Sequence, residues 1–163
     1  MNEDRKIITE EQAFARMART CSQKECCRFD VRKKLSGMNL SEQAVEKIIE
    51  MLIAGKFIDD KRFIRSFIND KLHFNKWGRI KIEASLRQKH VPKELIDEVF
   101  SEFSSSDLNE PLQPLLEKKI KTITAGSEYE RNGKLIRYAL GRGFPISEIL
   151  RCMKRMNLDN IPD

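Results

Sequence analysis

The sequence lacks the features that mark several large protein classes. No stretch of apolar residues approaches the length that a bilayer-spanning helix needs, so we expect no membrane association. Only 7% of the residues are aromatic, and no alternation of apolar and polar residues persists long enough to predict a strand. The composition, 40% apolar and 34% charged over 163 residues, instead predicts a soluble, strongly charged, helix-rich protein. Its cysteines favour the cytoplasm.

The cysteines show no metal-binding arrangement. Cys21, Cys26, Cys27 and Cys152 form no Cys-x-x-Cys pair, and no histidine lies at ligand spacing from them. We therefore expect reduced thiols, no metal and no cofactor.

Catalytic motifs are also missing. No phosphate-binding or dinucleotide-binding pattern occurs, and the run 141–143 (Gly-Arg-Gly) is too short to serve as one. The adjacent acids Asp59 and Asp60 would point about 100° apart on a helix, which suits a helix start better than an acid–base pair. His73 and His90 fall on different predicted elements, and an enzyme would have to gather both in one pocket. We expect no catalytic residue and no enzymatic activity.

Apolar residues at helical spacing extend along the whole chain. Capping boxes are predicted at residues 9–12 and 22–25, Ser41 is predicted to cap a further helix, and Gly55 to end it. The residues Asp59, Asp60 and Gly78 are interpreted as helix-start residues with a structural role.

This helical pattern occurs three times. Five sets of apolar residues recur at offsets of 51 and 53 residues, namely Val31/Ile82/Leu135, Leu35/Leu86/Ala139, Leu40/Val91/Phe144, Val45/Ile96/Ile149 and Ile49/Phe100/Met153. Pro92 and Pro145 follow the shared turn, as the first residues of helices. We predict an all-α fold: an elongated array of three tandem three-helix repeats resembling helix-turn-helix units, at residues 1–55, 56–103 and 112–163, with a polar linker at 104–111.

Positive charge is predicted to concentrate in the second helix of each repeat. The windows 22–35, 77–89 and 130–142 each carry a net charge of +3, whereas the third helices of the first two repeats are acidic. Phosphates would repel those acidic helices, which argues against sequence-specific reading of a DNA groove. Basic stripes along an elongated body fit a long, negatively charged surface, and ordinary solvated faces are the alternative.

Aromatic and basic residues are interleaved in the middle repeat, where Phe74 and Trp77 flank Lys76 and Arg79. Such residues can stack on nucleic-acid bases or anchor a protein interface. We favour a third interpretation, in which the two rings fill the joint between two helices.

The stretch from Gly55 to Val91 resembles the RecX family of recombination regulators. The resemblance lies in Gly-Lys-Phe-Ile-Asp-Asp-Lys-Arg-Phe at 55–63, in Phe67 and Lys71, and in Gly-Arg-Ile at 78–80 leading to Leu-Arg-Gln-Lys-His-Val at 86–91. His90 stands where the family usually has glycine, so the left-handed residue of that turn is expected to lie elsewhere.

The resemblance implies three tandem three-helix units and a non-enzymatic modulator of the RecA recombinase in DNA repair, recombination and the SOS response. Such a monomer would lie in the groove of the filament that RecA forms on single-stranded DNA, block filament growth and lower ATP hydrolysis. A free-standing, sequence-nonspecific nucleic-acid-binding module is the alternative. The predicted contact set consists of basic residues in or beside the second helices: Arg28, Arg32, Lys33, Lys76, Arg79, Lys81, Arg87, Lys89, Arg131, Lys134 and Arg137.

Overall fold

The computed structural model describes residues 7–162, within which ten α-helices and no strand are present, so the all-α prediction is confirmed. Residues 1–6, which belong to the first predicted repeat, and residue 163 lie outside the described residues. The helices are α1 (Glu10–Gln23), α2 (Arg28–Ser36), α3 (Glu42–Ala54), α4 (Asp60–His73), α5 (Arg79–Gln88), α6 (Lys93–Phe100), α7 (Ser105–Asn109), α8 (Leu112–Ile120), α9 (Glu128–Gly141) and α10 (Ile146–Arg155).

Three apolar cores follow one another along the chain. Repeat 1 packs α1, α2 and α3, repeat 2 packs α4, α5 and α6, and repeat 3 packs α8, α9 and α10. Of the fifteen apolar residues in the five recurring sets, fourteen are buried and Leu40 is half-buried. The recurring positions are therefore the core positions of each repeat.

The array is extended rather than spherical. Its accessible surface is 10706 Å². A compact monomer of 19.1 kDa would expose about 8,400 Å² by the usual scaling of surface with mass. Three separate cores, with the main helix contacts inside single repeats, agree with this larger surface.

One backbone feature recurs in the turn between the second and third helices. Asn39, His90 and Gly143 have φ values of 59°, 59° and 95°, and each directly precedes the recurring apolar residue of that turn. The expectation that the left-handed residue of the second turn lies away from position 90 is wrong. His90 itself adopts the conformation, at the steric cost that a side chain with a Cβ carries there.

Helix starts agree with the sequence at Thr9, whose hydroxyl and Gln12 form the predicted capping box, and at Ser41. The second predicted capping box, at 22–25, is wrong. Ser22 lies inside α1, where its hydroxyl donates to the Ala18 carbonyl at 2.7 Å, because α1 continues far enough to bury Cys21. The next helix begins only after Cys27, whose sulfur accepts from the Asp30 amide.

Two further helix ends differ from the prediction by one residue. Pro92 and Pro145 are N-caps with extended ψ, not first helical residues. Gly55 does end α3, but with φ −81°, and the left-handed residue is the next one, Lys56.

The segment predicted as a polar linker, residues 104–111, contains a helix. Ser104 and Asp107 form a capping box at the start of α7, and Leu108 is buried in the core of repeat 2. A single apolar residue among polar neighbours is a weak sequence signal for a helix. Packing of Leu108 in the core of repeat 2 holds the short helix α7 in place.

No helix within residues 7–162 combines the length and the apolar character that crossing a membrane requires. All four cysteines are buried free thiols.

Candidate nucleic-acid and filament interface

The observed helix bounds change the charge pattern. Counted over α2, α5 and α9 as they stand, the second helices carry net charges of +3, +2 and +1. The equal +3 of the sequence windows is therefore wrong for the helices themselves, because the windows included Lys89 and Arg142, which follow α5 and α9, and left out Glu128 at the start of α9. Placement of individual cations, rather than helix totals, must define the site.

Two residues of the predicted contact set bridge repeats 1 and 2. The Arg28 guanidinium lies 3.2 Å from the Asp60 carboxylate, and the Lys89 ammonium lies 2.9 Å from both Asp30 oxygens. Partial burial works against ionisation of Asp30, yet hydrogen bonds from Lys89 and Cys27 outweigh it and lower the pKa of the carboxyl. Arg28 and Lys89 thus help to fix one repeat against the next.

Further contacts strengthen the same junction. The Phe29 and His90 rings lie 5.0 Å apart between centroids, and Cys27 is buried in the core of repeat 2. Arg62 donates to Glu25 Oε1 at 2.6 Å, while Glu25 Oε2 is buried without a hydrogen-bond partner. The junction between repeats 1 and 2 is consequently ionic at its edge and apolar at its centre.

Three other members of the predicted set have partners inside their own repeats. Arg32 pairs with Glu46 at 2.8 Å, and Lys134 donates to the Thr124 carbonyl at 2.8 Å. Arg79 is 3.6 Å from Asp97, and its guanidinium carbon lies 4.5 Å from the centroid of the Phe100 ring. All three side chains remain about half exposed, so these pairs are weak and exchangeable.

The remaining members form no ion pair with any carboxylate of residues 7–162. They occur in all three repeats and are Lys33, Lys76, Lys81, Arg87, Arg131 and Arg137. Each is partly or fully exposed, and they are the predicted residues best placed to meet an external anion.

Repeats 2 and 3 meet backbone to backbone. The Gly78 amide donates to the Arg142 carbonyl at 2.8 Å, and the Ile80 amide donates to the Gly143 carbonyl at 3.1 Å. A Cβ on Gly78 would lie 2.5 Å from the Gly143 carbonyl oxygen, and one on Gly143 would overlap the Cβ of Lys81. Both glycines are therefore required by a close approach between repeats.

Aromatic rings with cations around them flank this contact. The Lys71 and Lys81 ammonium groups lie 4.9 Å and 4.5 Å from the Trp77 ring centroid, and Trp77 packs against the core of repeat 2. The joint-filling interpretation holds for Trp77 but is wrong for Phe74, which is 83% exposed.

A second ring, Tyr138, faces the same junction from repeat 3. The Lys119 ammonium lies 4.6 Å from the centroid of the Tyr138 ring. The Tyr138 hydroxyl accepts hydrogen bonds from the Arg142 guanidinium, and the same guanidinium donates to the Asn75 carbonyl at 3.2 Å. Sequence reasoning missed Lys119, Tyr138 and Arg142 as site residues. The hydrogen bond from Arg142 to Asn75 spans 67 positions, and nothing in the local pattern signals it.

The residues that suggest catalysis are dispersed. Asp59 accepts from the Arg62 amide as the N-cap of α4, and Asp60 pairs with Arg28. His73 is the exposed last residue of α4, while His90 packs on Phe29 at the junction with repeat 1. No group of three or more potential metal ligands occurs among residues 7–162.

Family models match two parts of this chain. Residues 59–99 match the model described as RecX, second three-helix domain, and residues 110–153 match RecX, third three-helix domain. Together the two matches cover just over half of the chain.

Curated relatives extend the similarity. The regulatory protein RecX of Prosthecochloris aestuarii is 31% identical, over 85% of this chain and 85% of its own length. That of Clostridium acetobutylicum is 32% identical over 80% of this chain but 62% of its own length, and a Clostridium botulinum relative is covered over only 54% of its length. The chain thus spans less than two thirds of the clostridial proteins.

Solved structures agree in fold. A crystal structure of regulatory protein RecX superimposes with a TM-score of 0.81 at 24% identity, covering 89% of this chain and 73% of the other. RecX from Lactobacillus salivarius gives a TM-score of 0.79 at 19% identity, covering 91% and 97%.

Proposed function

The chain belongs to the RecX family of regulatory proteins, and on that premise we propose that it binds the RecA–single-stranded-DNA filament in the cytoplasm and inhibits the recombinase. It would block filament growth and lower ATP hydrolysis without catalysing a reaction itself. The family relationship supports a regulatory role, and the resemblance of residues 55–91 implies the recombinase as its target. The structure of this chain supports a mode of binding.

The mode of binding follows from how the cations are distributed. Unpaired Lys33, Arg87 and Arg137 lie on α2, α5 and α9, one in each repeat, and all three are exposed. An extended body that places single charges at intervals suits a partner with a repeating surface, because many weak contacts then add along its length. A compact globular partner would meet only one repeat at a time.

The cations that already have partners fit this mode in a different role. Arg28 and Lys89 help to set the relative position of repeats 1 and 2, so they determine the spacing between exposed contacts. Their own ion pairs are partly exposed and worth at most about 1 kcal/mol each, which leaves them able to exchange partners on binding.

An ATPase titration tests the proposal. RecA is assembled on single-stranded DNA, the protein is added at increasing ratios, and the rate of ATP hydrolysis is followed. Inhibition well below one protein per recombinase protomer is expected, because blocking growth at few positions stops net assembly. A module that only competes for DNA would need enough protein to cover the strand.

Charge reversal at Lys33, Arg87 and Arg137 is the matching variant test. The triple variant should lose inhibition at physiological salt while keeping its helical content, since none of the three makes an ion pair within residues 7–162. Reversal of Lys47, Lys61 and Arg151, which do pair with acids, is the control of equal charge change. Equal loss of inhibition in both variants would count against the assigned surface.

A further inference from the structure

Six side chains from two repeats converge where repeats 2 and 3 meet, and we call them the junction cluster. The ammonium groups of Lys71 and Lys81 lie within 5 Å of the Trp77 ring centroid. The Lys119 ammonium and the Arg142 guanidinium carbon lie 4.6 Å and 5.5 Å from the Tyr138 ring centroid. The two halves are linked by the Arg142 hydrogen bond to Asn75 and by the Gly78–Arg142 backbone bond. Folding thus gathers four cations at one joint.

No carboxylate of residues 7–162 forms an ion pair with a cation of the junction cluster. The ten ion pairs of residues 7–162 involve none of its four cations, although acids are nearly as numerous as bases in the chain. Two ammonium groups beside one ring repel each other, and ring faces offset that repulsion only partly. A joint built with four like charges is stabilised by any anion that binds between them.

The chemistry of the cluster favours phosphate over an acidic protein surface. A protein hot spot needs apolar area to bury, but the ring faces here are covered by ammonium and guanidinium groups. Charge is therefore the main feature of the six side chains in the cluster, and exposed Phe74 and Ile80 are its apolar neighbours. Lysines bind phosphate as point charges, and cations interleaved with rings are typical of surfaces that follow a single strand.

We propose that the junction cluster is a binding site for the phosphodiester backbone of a single-stranded nucleic acid, assembled only when repeats 2 and 3 are docked. The site rests on the proposed function, and deepens it by naming the component of the filament that this joint contacts. Lys71 and Lys81 supply the half from repeat 2, and Lys119 and Arg142 the half from repeat 3. The bound strand would bridge the two repeats and hold the joint closed.

The chain provides its own reporter, because Trp77 is its single tryptophan. Oligo(dT) of about 15 nucleotides, close to the site size of single-strand-binding surfaces, is titrated into the full chain without recombinase. Trp77 emission should change saturably, because the two ammonium groups leave the ring when they engage phosphates. The apparent affinity should fall linearly with salt on logarithmic axes.

Variants on both sides of the joint test its composition. The salt slope is the slope of the logarithm of the affinity against the logarithm of the salt concentration, and for single strands each lost phosphate contact reduces its magnitude by about 0.7. The double variant Lys71→Gln/Lys81→Gln should therefore reduce it by about 1.4, and Lys119→Gln by about 0.7. Labelled-DNA anisotropy gives a second readout that does not depend on the tryptophan. Arg16→Gln/Arg19→Gln on α1 removes two exposed cations from repeat 1 and should leave the slope nearly unchanged.

The site would be wrong if oligo(dT) left Trp77 emission unchanged, or if the junction and α1 variants changed the salt slope equally. It would also be wrong if a poly-glutamate peptide bound more tightly than oligo(dT), which would indicate a protein partner instead. A failed DNA titration with intact ATPase inhibition rejects the site and leaves the proposed function standing. If the wild-type chain binds oligo(dT) but does not inhibit the recombinase, the proposed function is rejected and the site stands.

Discussion

Gly78 and Gly143 touch through their backbones, and this contact sets how repeat 3 follows repeat 2. A Cβ on Gly78 would lie 2.5 Å from the Gly143 carbonyl oxygen, closer than real Cβ contacts allow. Gly143 also has φ +95°, a conformation that side chains with a Cβ rarely adopt. Two residues 65 positions apart are thus constrained by one contact.

Alanine at either glycine is expected to destabilise the chain. Gly78→Ala and Gly143→Ala must move one repeat away from the other, at a cost of about 1–3 kcal/mol, comparable to overpacking a core. Gly141→Ala is the matched control, because its Cβ would meet nothing within 4 Å and its helical position favours alanine. Urea unfolding monitored by Trp77 emission measures all three. An equally mild effect of all three substitutions would mean that the repeats do not depend on this contact.

The junction between repeats 1 and 2 should weaken in acid. The pKa of Asp30 is lowered in the folded chain, so its charge contributes stability above the unfolded value of about 4, and the contribution is lost as pH falls through the folded value. Asp30→Asn should therefore cost about 0.2–1 kcal/mol near neutral pH, given its partial exposure, and almost nothing near pH 2.

Denaturant unfolding at several pH values measures this difference. Asp70→Asn, an exposed acid of α4 without an ion pair in the described part of the chain, is the control. A pH-independent gap between wild type and Asp30→Asn would show that the carboxylate charge is not what stabilises the junction.

Members of the predicted contact set should separate into two phenotypes. Lys89→Gln removes a bridge between repeats and should lower the melting temperature by a few degrees, corresponding to about 1 kcal/mol at most. Arg87→Gln removes an exposed cation two residues away and should leave the melting temperature unchanged while weakening filament inhibition. Calorimetry and ATPase assays on the same two proteins distinguish these roles, and the reverse pattern would contradict the site assignment.

Leu108 should behave as a core residue despite its polar surroundings. Its side chain is 6% exposed and packs in the core of repeat 2, so Leu108→Ala should cost about 2–4 kcal/mol. Ser106→Ala, exposed on the same short helix, is the control and should be nearly neutral. Thermal unfolding measures both, and a neutral Leu108→Ala would restore the interpretation of residues 104–111 as a simple linker.

The thiols should be unreactive until the chain unfolds. Burial raises the pKa of Cys21 to about 12 and that of Cys27 to about 11, and burial also raises the pKa of Cys152. Since the thiolate is the reactive form, an aromatic disulfide reagent near neutral pH should titrate these cysteines slowly in the native chain. All four thiols should react promptly in urea. Fast native reaction of Cys21 would mean that repeat 1 opens readily, and fast reaction of Cys27 would mean that the junction between repeats 1 and 2 does.

Local patterns in the sequence were sufficient for the repeat and for much of its capping. Apolar spacing identified the core positions, because a three-helix unit buries whichever face repeats at helical intervals. Thr9, Ser41 and Gly55 mark helix ends because capping depends on residues within a few positions. The same locality explains the error at Ser22, where burial of Cys21 extended α1 through a plausible start signal.

The sequence by itself determined that this chain forms three small helical cores with a surplus of positive charge. Only the tertiary structure decided which cations are free. Arg28 and Lys89 pair with acids 32 and 59 positions away. Lys71, Lys81, Lys119 and Arg142 lie beside two rings and form no ion pair in the described part of the chain. Charge is carried by residue type, but pairing depends on distances between repeats. Contacts between distant residues set those distances, Phe29 on His90 between repeats 1 and 2 and Gly78 on Gly143 between repeats 2 and 3, and no local pattern contains them.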